Sequence, residues 1–341
     1  MKRIFLFLSC AFIFLNSFSQ DVHFAQLSET PQLLNPALTG LYDGYYRGIL
    51  NYRNQWPGIG KPYSTFMASF DMPLEMKKKG AFLGLGAFLY SDKAGDTKFG
   101  TTQANLSLSA IVPLDANQNF SAGLQFGFAQ HSADLKAIQW PNQYNGMQYD
   151  PALSPNENFN SETFSYFDMG AGANYRLNIE SGTIDGKEII RLNAGGAFFH
   201  PTQPTQKNYK SSTEKLYGKV VANASLRYDF PGTLVGIVPS VIYMGQGPAS
   251  EINAGILLRY KINQGTKVTG FYTESAVSGG LHYRVNDAIS PQVFFEFSDF
   301  GFGISYDFNV SSFGKNNKGT GAFEISLRYA SMKGALMKSR I

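Results

Sequence analysis

Apolar and polar residues alternate along many short stretches of this chain. Between residues 103 and 112, for example, Ala104, Leu106 and Leu108 alternate with Asn105 and Ser107. Successive side chains of a β-strand point to opposite faces, so this pattern predicts a strand with one apolar and one polar face. The same pattern predicts strands at 45–56, 63–74, 80–90, 103–112, 120–131, 163–178, 188–199, 219–228, 233–244, 251–260, 267–285, 289–297, 300–309 and 323–329.

These stretches predict an all-β fold, a transmembrane antiparallel β-barrel of about 14 strands with both termini periplasmic. The 267–285 stretch is long enough for two short strands, but we count it as one because bacterial single-chain barrels have even strand numbers. With that count the long connections 132–162, 200–215 and 311–319 all fall on one side, as expected of outer loops. A soluble β-sandwich with one wet face is the alternative.

Composition favours the barrel over the sandwich. Charged residues make up 16% of the chain, against roughly 25% in soluble proteins, while 35 Gly, 29 Phe and 19 Tyr are present. No segment after residue 18 is apolar enough to predict a membrane-spanning helix, and a membrane protein without such helices must pair its backbone in a closed barrel. The formal net charge of +4 is mild, so we predict no nucleic-acid partner.

The amino terminus indicates export. A short basic head precedes an apolar run from Ile4 to Phe18, and small residues then offer a cleavage site that would leave Gln20 or Asp21 first. The run is shorter than the ~20 apolar residues that a spanning helix needs. Cys10, the one cysteine, lies within it, so the mature chain has no disulfide. Residues 1–20 are therefore predicted to be a signal peptide, and the mature protein is predicted to be integral to the cell outer membrane.

The stretch before the first strand differs from the rest. Residues 21–44 are polar and turn-rich, with Pro31, Asn35-Pro36 and Gly40. They predict either a plug folded into the lumen, a periplasmic segment or a flexible tail. A barrel of 14 strands is wider than the eight-stranded type that side chains can fill, so a plug or a bound partner would fit inside. The predicted organisation is thus 1–20 signal peptide, 21–44 plug or periplasmic segment, 45–331 barrel and 332–341 carboxy-terminal tail.

Short motifs along the mature chain match those of one known family. They are Phe24-Ala25-Gln26, Leu34 to Gly40 (LNPALTG), Tyr52 to Gly58 (YRNQWPG), Lys61 to Thr65, Ser69 to Leu74, Gly303 to Phe308 and Phe323 to Tyr329. On these motifs the chain resembles the PorP/SprF family of Bacteroidota, across nearly the whole mature sequence. It departs from the family pattern in its extra tail, residues 332–341, and in its elaborate loop at 132–162.

The resemblance implies an outer-membrane β-barrel component of the type IX secretion system. Such a barrel would bind the C-terminal domain of a secreted adhesin, often a gliding adhesin, or subunits of the secretion machinery, and would support export or surface anchoring. The alternative function is a diffusion porin for small solutes. A porin should have an open, conducting lumen, whereas a partner-binding barrel should be plugged and electrically silent.

Signals for catalysis or metal binding are sparse. Ser278 and His282 are four residues apart on one strand face, a separation of ~13 Å that is too long for a nucleophile and its base. Asp92, Lys93 and Asp96 share a loop but lack the ligand spacing of an EF-hand. We therefore predict no enzyme activity, no cofactor and no metal.

Charged residues on the polar strand faces are expected to line the lumen. Either they pair with one another and hold barrel and plug together, or they grip an inserted peptide. Trp56, just before Pro57, is expected at the outer interface, as an anchor or a partner contact. The candidates for contact with a partner or the plug are Asn35, Pro36, Arg47, Arg53, Gln55, Trp56, Asp71, Arg259, Arg284 and Asp307.

Overall fold

The computed structural model of the chain describes residues 21–57, 61–74, 80–95, 98–134, 139–154, 156, 163–183, 186–206, 215–263, 274–311 and 321–331. Its strands are β1 Arg47–Gln55, β2 Tyr63–Leu74, β3 Phe82–Ala94, β4 Phe99–Pro113, β5 Gln118–Ser132, β6 Thr163–Thr183, β7 Gly186–Phe199, β8 Lys219–Asp229, β9 Val235–Gln246, β10 Ala249–Asn263, β11 Ser275–Arg284, β12 Ala288–Phe297, β13 in two parts, Phe300–Tyr306 and Phe308–Asn309, and β14 Ala322–Ala330.

The two parts of β13 form one strand. Both pair with β12 in a single register, with Gln292 opposite Ser305 and Ile289 opposite Phe308. The break at Asp307 lies beside Pro291, which has no N–H to donate to the ladder.

The strands close into an antiparallel barrel. Each pairs with its neighbour in sequence, and β1 pairs with β14, where Arg53 lies opposite Glu324. The predicted all-β, 14-stranded barrel is confirmed. The predicted strand at 267–285 corresponds to β11, and its residues 267–273 lie outside the described residues. No described helix is long and apolar enough to cross a membrane.

The alternation read from the sequence separates the two faces of the wall. On the outside, Leu106 is 62% exposed and Leu258 is 61% exposed, whereas Asn105 and Ser107 are buried on the inside. A soluble protein buries such leucines, so this inverted arrangement is that of a barrel surrounded by lipid.

The two ends of the barrel differ. We call the end carrying the connections 133–162, 200–218 and 310–321 the loop end, and the end at which β1 begins the turn end. Most turn-end connections are short, such as 114–117 and 298–299. The orientation of the loop end towards the exterior stays a prediction.

Residues 21–44, named here the N-terminal segment, run through the barrel. They form a 3-10 turn Leu27–Glu29, one α-helical turn Pro31–Leu34 and a second 3-10 turn Pro36–Leu38. Each proline opens its turn, where a missing N–H costs nothing. The segment begins near the loop end and finishes at the turn end, so the described chain begins and ends near opposite mouths. The predicted signal peptide and tail concern residues outside the described ones, and the periplasmic location of both termini stays a prediction.

Candidate functional site in the barrel lumen

Apolar side chains hold the N-terminal segment against two walls of the lumen. Phe24 packs with Met67, Phe88 and Tyr90 of β2 and β3. On the other side, two leucines pack against β7–β9 in a cluster of Leu27, Leu34, Ala197, Phe199, Val221, Ile242 and Met244. Burying one such side chain contributes about 1.5–3 kcal/mol, so these contacts stabilise the segment inside the barrel.

Two glycines of the inner wall allow the backbone of the segment to approach closely. A Cβ on Gly84 would lie 2.2 Å from the carbonyl oxygen of Thr39, and one on Gly123 would lie 2.4 Å from the nitrogen of Ala37. No side chain fits at either position without moving the segment. Sequence reasoning missed both residues, although a glycine among the inward positions of a strand was a visible signal.

Asn35 and Pro36 lie where the segment crosses β6 and β7. The Asn35 side chain is fully buried and caps the second 3-10 turn, since its Oδ1 accepts a 2.9 Å hydrogen bond from the N–H of Ala37. Its Nδ2 donates to the carbonyls of Ala173 at 3.0 Å and Gly196 at 3.3 Å. The Asn-Pro pair therefore fixes both the local turn and its contact with the wall.

Three candidate residues from three different strands meet in one buried ion-pair cluster. Arg53 of β1 lies 3.0 Å from Asp307, and Arg284 of β11 lies 3.0 Å from the same carboxylate. The hydroxyl of Ser290 donates to Asp307 at 2.5 Å, and Arg53 also pairs with Glu324. Each carboxylate is thus matched by guanidinium donors, as buried charges require.

Glu324 joins this cluster to the N-terminal segment. Its carboxylate accepts the backbone N–H of Ala25 at 2.7 Å and that of Gln26 at 3.1 Å. Gln292 donates to the carbonyl of Ala25 at 2.9 Å, so the backbone there is held from two strands. Glu324 was expected only as one of many lumen charges, and its contact with the segment was not predicted.

A second cluster fixes the segment at the turn end. Arg47 donates to both carboxylate oxygens of Asp71, at 2.9 and 2.8 Å. Asp71 also accepts the N–H of Gly40 at 2.8 Å, and Tyr42 donates to the Asp71 carbonyl while its ring stacks 4.3 Å from Arg47. Arg47 and Asp71 therefore contact the end of the segment directly.

Arg259 belongs to a third cluster, formed by residues of β10, β12 and β14 and by Glu274. It pairs with Glu296 at 2.7 Å and Glu274 at 2.8 Å. Arg328 bridges Glu296 at 2.9 Å and Glu29 of the N-terminal segment at 3.0 Å. Arg259 thus acts on the segment through Glu296 and Arg328 and not by contact.

Gln55 and Trp56 lie at the loop end of β1. Gln55 is half-buried and sits opposite Ala322. Trp56 has a left-handed φ of 56°, donates its backbone N–H to Gly321 at 2.8 Å, and packs edge-on against Tyr63 at 5.2 Å. The structure therefore places these two candidates at the rim, apart from the three clusters just described.

The start of the segment is held by residues that the sequence did not point to. Asp21 accepts from His200 at 2.6 Å and from Lys219 at 3.4 Å, and His200 also contacts Asp168 at 2.7 Å. Burial opposes the charge on His200, but the two carboxylates raise its pKa from 6.5 to about 9. Burial likewise opposes the charge on Asp21, but Lys219 and His200 hold its pKa well below the usual range.

This arrangement predicts a pH-dependent attachment of the segment. Because the pKa of His200 is higher in the folded protein, its stabilising effect is fully present below about pH 6.5 and is lost as the pH rises through about 9. We expect His200→Gln to lower the free energy of unfolding by roughly 3 kcal/mol below pH 6.5 and by little at pH 10. Urea unfolding of both proteins across this range measures the difference.

A matched control for that measurement is Gln246→Ala, since Gln246 donates to the same Asp21 at 3.1 Å but carries no titrating group. Its difference from the unmodified protein should stay flat with pH. If the His200→Gln difference is equally flat, His200 does not act as a charged tether.

The residues that the sequence raised for catalysis (Ser278 and His282) and for calcium binding (Asp92) have other contacts in the structure. His282 contacts the hydroxyl of Ser240 at 3.0 Å, whereas Ser278 sits opposite Arg259. Asp92 accepts a hydrogen bond from Thr65 at 2.6 Å. Within the described ranges, no group of three or more His, Cys, Asp or Glu side chains could hold a metal ion.

A closed antiparallel barrel with an apolar outer face and a polar lumen defines the class of this protein, an outer-membrane β-barrel. Residues 16–329 match the family described as type IX secretion system membrane protein PorP/SprF, and the chain belongs to that family. It is accordingly a membrane protein of the type IX secretion system, located in the outer membrane. This family and fold are not those of a known class of enzyme.

Solved structures with a similar fold include three outer-membrane barrels. The translocator domain of autotransporter NalP from Neisseria meningitidis is 12% identical, with a TM-score of 0.40 and coverage of 89% of this chain and 96% of that one. A Pseudomonas aeruginosa FadL homologue is 10% identical, with a TM-score of 0.44 and coverage of 87% and 92%. BamA from Haemophilus ducreyi lacking POTRA domains 1–3 is 9% identical, with a TM-score of 0.45 and coverage of 84% and 70%. No curated relative matches the chain.

Proposed function

We propose that this barrel binds a secreted adhesin, through its C-terminal domain, or subunits of the type IX secretion machinery, and supports export, surface anchoring and gliding. The observation that carries the proposal is the occupied lumen. The N-terminal segment runs through the barrel; Glu324 and Asp71 of the wall bind it, and its own Asn35 donates to the wall. In this proposal residues 21–44 are a plug, residues 45–331 are the barrel, and the exposed apolar band contacts outer-membrane lipid.

The occupied lumen favours this function over the diffusion porin. A porin keeps a water-filled channel. In this barrel the N-terminal segment lies in the lumen, where apolar contacts hold it against the wall beside buried ion pairs. Glu324 is a buried carboxylate that pairs with Arg53 and also accepts hydrogen bonds from the backbone N–H groups of Ala25 and Gln26. Removal of the segment would take away those two hydrogen bonds, and a buried charge is stable only when it is paired and hydrogen-bonded. The candidate residues Asn35, Pro36, Arg47, Arg53, Asp71, Arg284 and Asp307 would therefore position the plug, with Arg259 supporting them through Arg328.

The loop end offers a surface for a protein partner. Met147 is 91% exposed, and Tyr144 and Tyr217 are more than half exposed. Exposed aromatic and Met side chains are typical of the central part of protein interfaces. We propose that these loops, together with Gln55 and Trp56 at the rim, contact the partner.

A pull-down of the tagged mature protein from detergent-solubilised outer membranes tests this function. We expect mass spectrometry to identify one large secreted surface protein or components of the type IX system. The double variant Tyr144→Ser and Met147→Ser should recover about tenfold less partner, because interface residues of this kind contribute most of the binding energy.

Leu114→Ser is the matched control, since Leu114 is 59% exposed but lies in a turn-end connection. It should leave recovery unchanged. Recovery of the barrel alone, together with stable channel conductance in a planar bilayer, would support the porin instead.

A further inference from the structure

A short hairpin lies at the loop end of the barrel, in the connection between β5 and β6. Tyr144 and Tyr149 pair across it, and the backbone N–H of Asp150 donates to the carbonyl of Gln143 at 2.7 Å. Residues 144–148, which form its tip, are all exposed. The tip is therefore open to water, on the same surface that carries the proposed partner contacts.

The tip contains an Asn-Gly pair, Asn145-Gly146, which the sequence has at no other position. Because glycine has no Cβ, its backbone nitrogen can approach the side-chain amide carbon of a preceding asparagine and close a five-membered ring. Gly146 has a φ of 97°, and no atom beyond its chain neighbours lies within 4 Å of the position that a Cβ would take. This side of the residue is therefore open.

The hydrogen bonds of the tip favour attack on the Asn145 side chain. Its Oδ1 accepts the backbone N–H of Met147 at 3.0 Å and that of Gln148 at 3.0 Å. Two N–H groups at this distance stabilise the negative charge that develops on the oxygen when a nucleophile adds to the amide carbon. The N–H of Gly146 has no hydrogen-bond partner among the described residues, so the attacking nitrogen is not held elsewhere.

We propose that Asn145 is a site of spontaneous deamidation, which replaces its side-chain amide by a carboxylate. The backbone nitrogen of Gly146 gives its proton to hydroxide and forms a bond to Cγ of Asn145. The Cγ–Nδ2 bond then breaks, and Nδ2 takes a proton from water and leaves as ammonia. Water opens the resulting succinimide, giving aspartate if the new bond to Cγ breaks and isoaspartate if the original peptide bond breaks. Water is the only co-reactant, and nothing is oxidised or reduced.

Deamidation changes the charge and the backbone of the hairpin tip. Either product places a negative charge between Tyr144 and Met147, and isoaspartate also adds a methylene to the main chain beside the Tyr144–Tyr149 pair. A partner that covers these two side chains would have to bury the new carboxylate, which is unfavourable without a matching cation. The modification therefore weakens partner binding, a consequence that rests on the proposed function.

Incubation of the full mature protein in detergent, in water labelled with heavy oxygen, tests the site by mass spectrometry of its peptides. We expect an acid carrying one labelled oxygen at Asn145, formed faster in mildly alkaline than in mildly acidic buffer. Asn117, which is also exposed but precedes Gln118, should react at least about tenfold more slowly. Gly146→Ala should slow the reaction about tenfold or more, because its Cβ obstructs ring closure. An intact amide at Asn145, or equal conversion of Asn117, would overturn the proposal.

Two variants test the consequence for the partner in the pull-down. Asn145→Asp should recover about tenfold less partner than the unmodified protein, whereas Asn145→Gln, which keeps a neutral amide, should recover as much. Equal recovery by Asn145→Asp would overturn the effect on binding. If the unmodified barrel recovers no partner, the proposed function fails, while the labelling at Asn145 still decides whether the modification occurs.

Discussion

Deletion of residues 22–41 is expected to convert an electrically silent barrel into a conducting pore. These residues lie between β2–β3 and β7–β9 and occupy the lumen through both apolar clusters. A barrel of 14 strands is too wide for its own side chains to fill, so removing the segment leaves a path for water and ions. Single-channel recording in planar bilayers, comparing the mature protein with the deletion, measures the effect.

The control is a deletion of residues 139–154 in the loop-end connection, which should leave the barrel silent. If the shortened chain fails to fold, Gly84→Val with Gly123→Val displaces the segment without removing it, since each new Cβ would lie within 2.4 Å of the segment backbone. Conductance by the unmodified protein, or silence of both altered proteins when folded, would contradict a plugging role.

Arg53→Met is expected to cause the largest loss of stability of any single substitution in the lumen. Arg53 is 2% exposed and pairs with both Asp307 and Glu324, so its removal leaves one carboxylate with Arg284 alone and the other without a cation. Removing one partner of a buried ion pair costs about 3–5 kcal/mol, because the remaining charge stays buried without compensation. Urea unfolding of the refolded protein in lipid vesicles measures this loss.

Arg191→Met provides the comparison. Arg191 pairs with Asp43 and Glu180, whose side chains are 45% and 33% exposed, so its loss should cost no more than about 1 kcal/mol. Adding Glu324→Gln to Arg53→Met should recover part of the lost stability by removing the unpaired charge. Equal losses from Arg53→Met and Arg191→Met would show that burial does not decide the strength of these pairs.

The strands were predictable because their signal is local. The alternation of Leu106 and Leu108 with Asn105 and Ser107 specifies both β-structure and which face meets lipid, whatever the rest of the chain does. The boundary at β11 was harder to place, since the preceding residues lack a clear period. The break in β13 at Asp307 was also not visible in the alternating pattern.

The candidate site was predictable in its composition but not in its pairing. Arg53, Arg284 and Asp307 were chosen as inward charges, and the structure brings them together through β1, β11 and β13. Glu324 was missed as the residue that binds the segment, because its contact with the Ala25 N–H joins residues 299 positions apart. Gln55 and Trp56 carry a family motif, yet they lie at the rim.

The all-β class, the lipid-facing and inward faces of the strands and the grouping of the long connections at one end all follow from the sequence, because side-chain alternation is a property of each strand alone. The path of the N-terminal segment through the lumen follows only from the folded structure, as does the contact of Asp21 with His200, 179 positions away in the sequence. The same is true of Gly84 and Gly123, whose missing side chains leave space for the backbone of the segment. The physical reason is closure of the barrel. Strand register and barrel closure determine which inward-facing groups lie opposite each other. The partner of a buried charge, or the chain that packs on an inward glycine, is therefore known only when the barrel is closed.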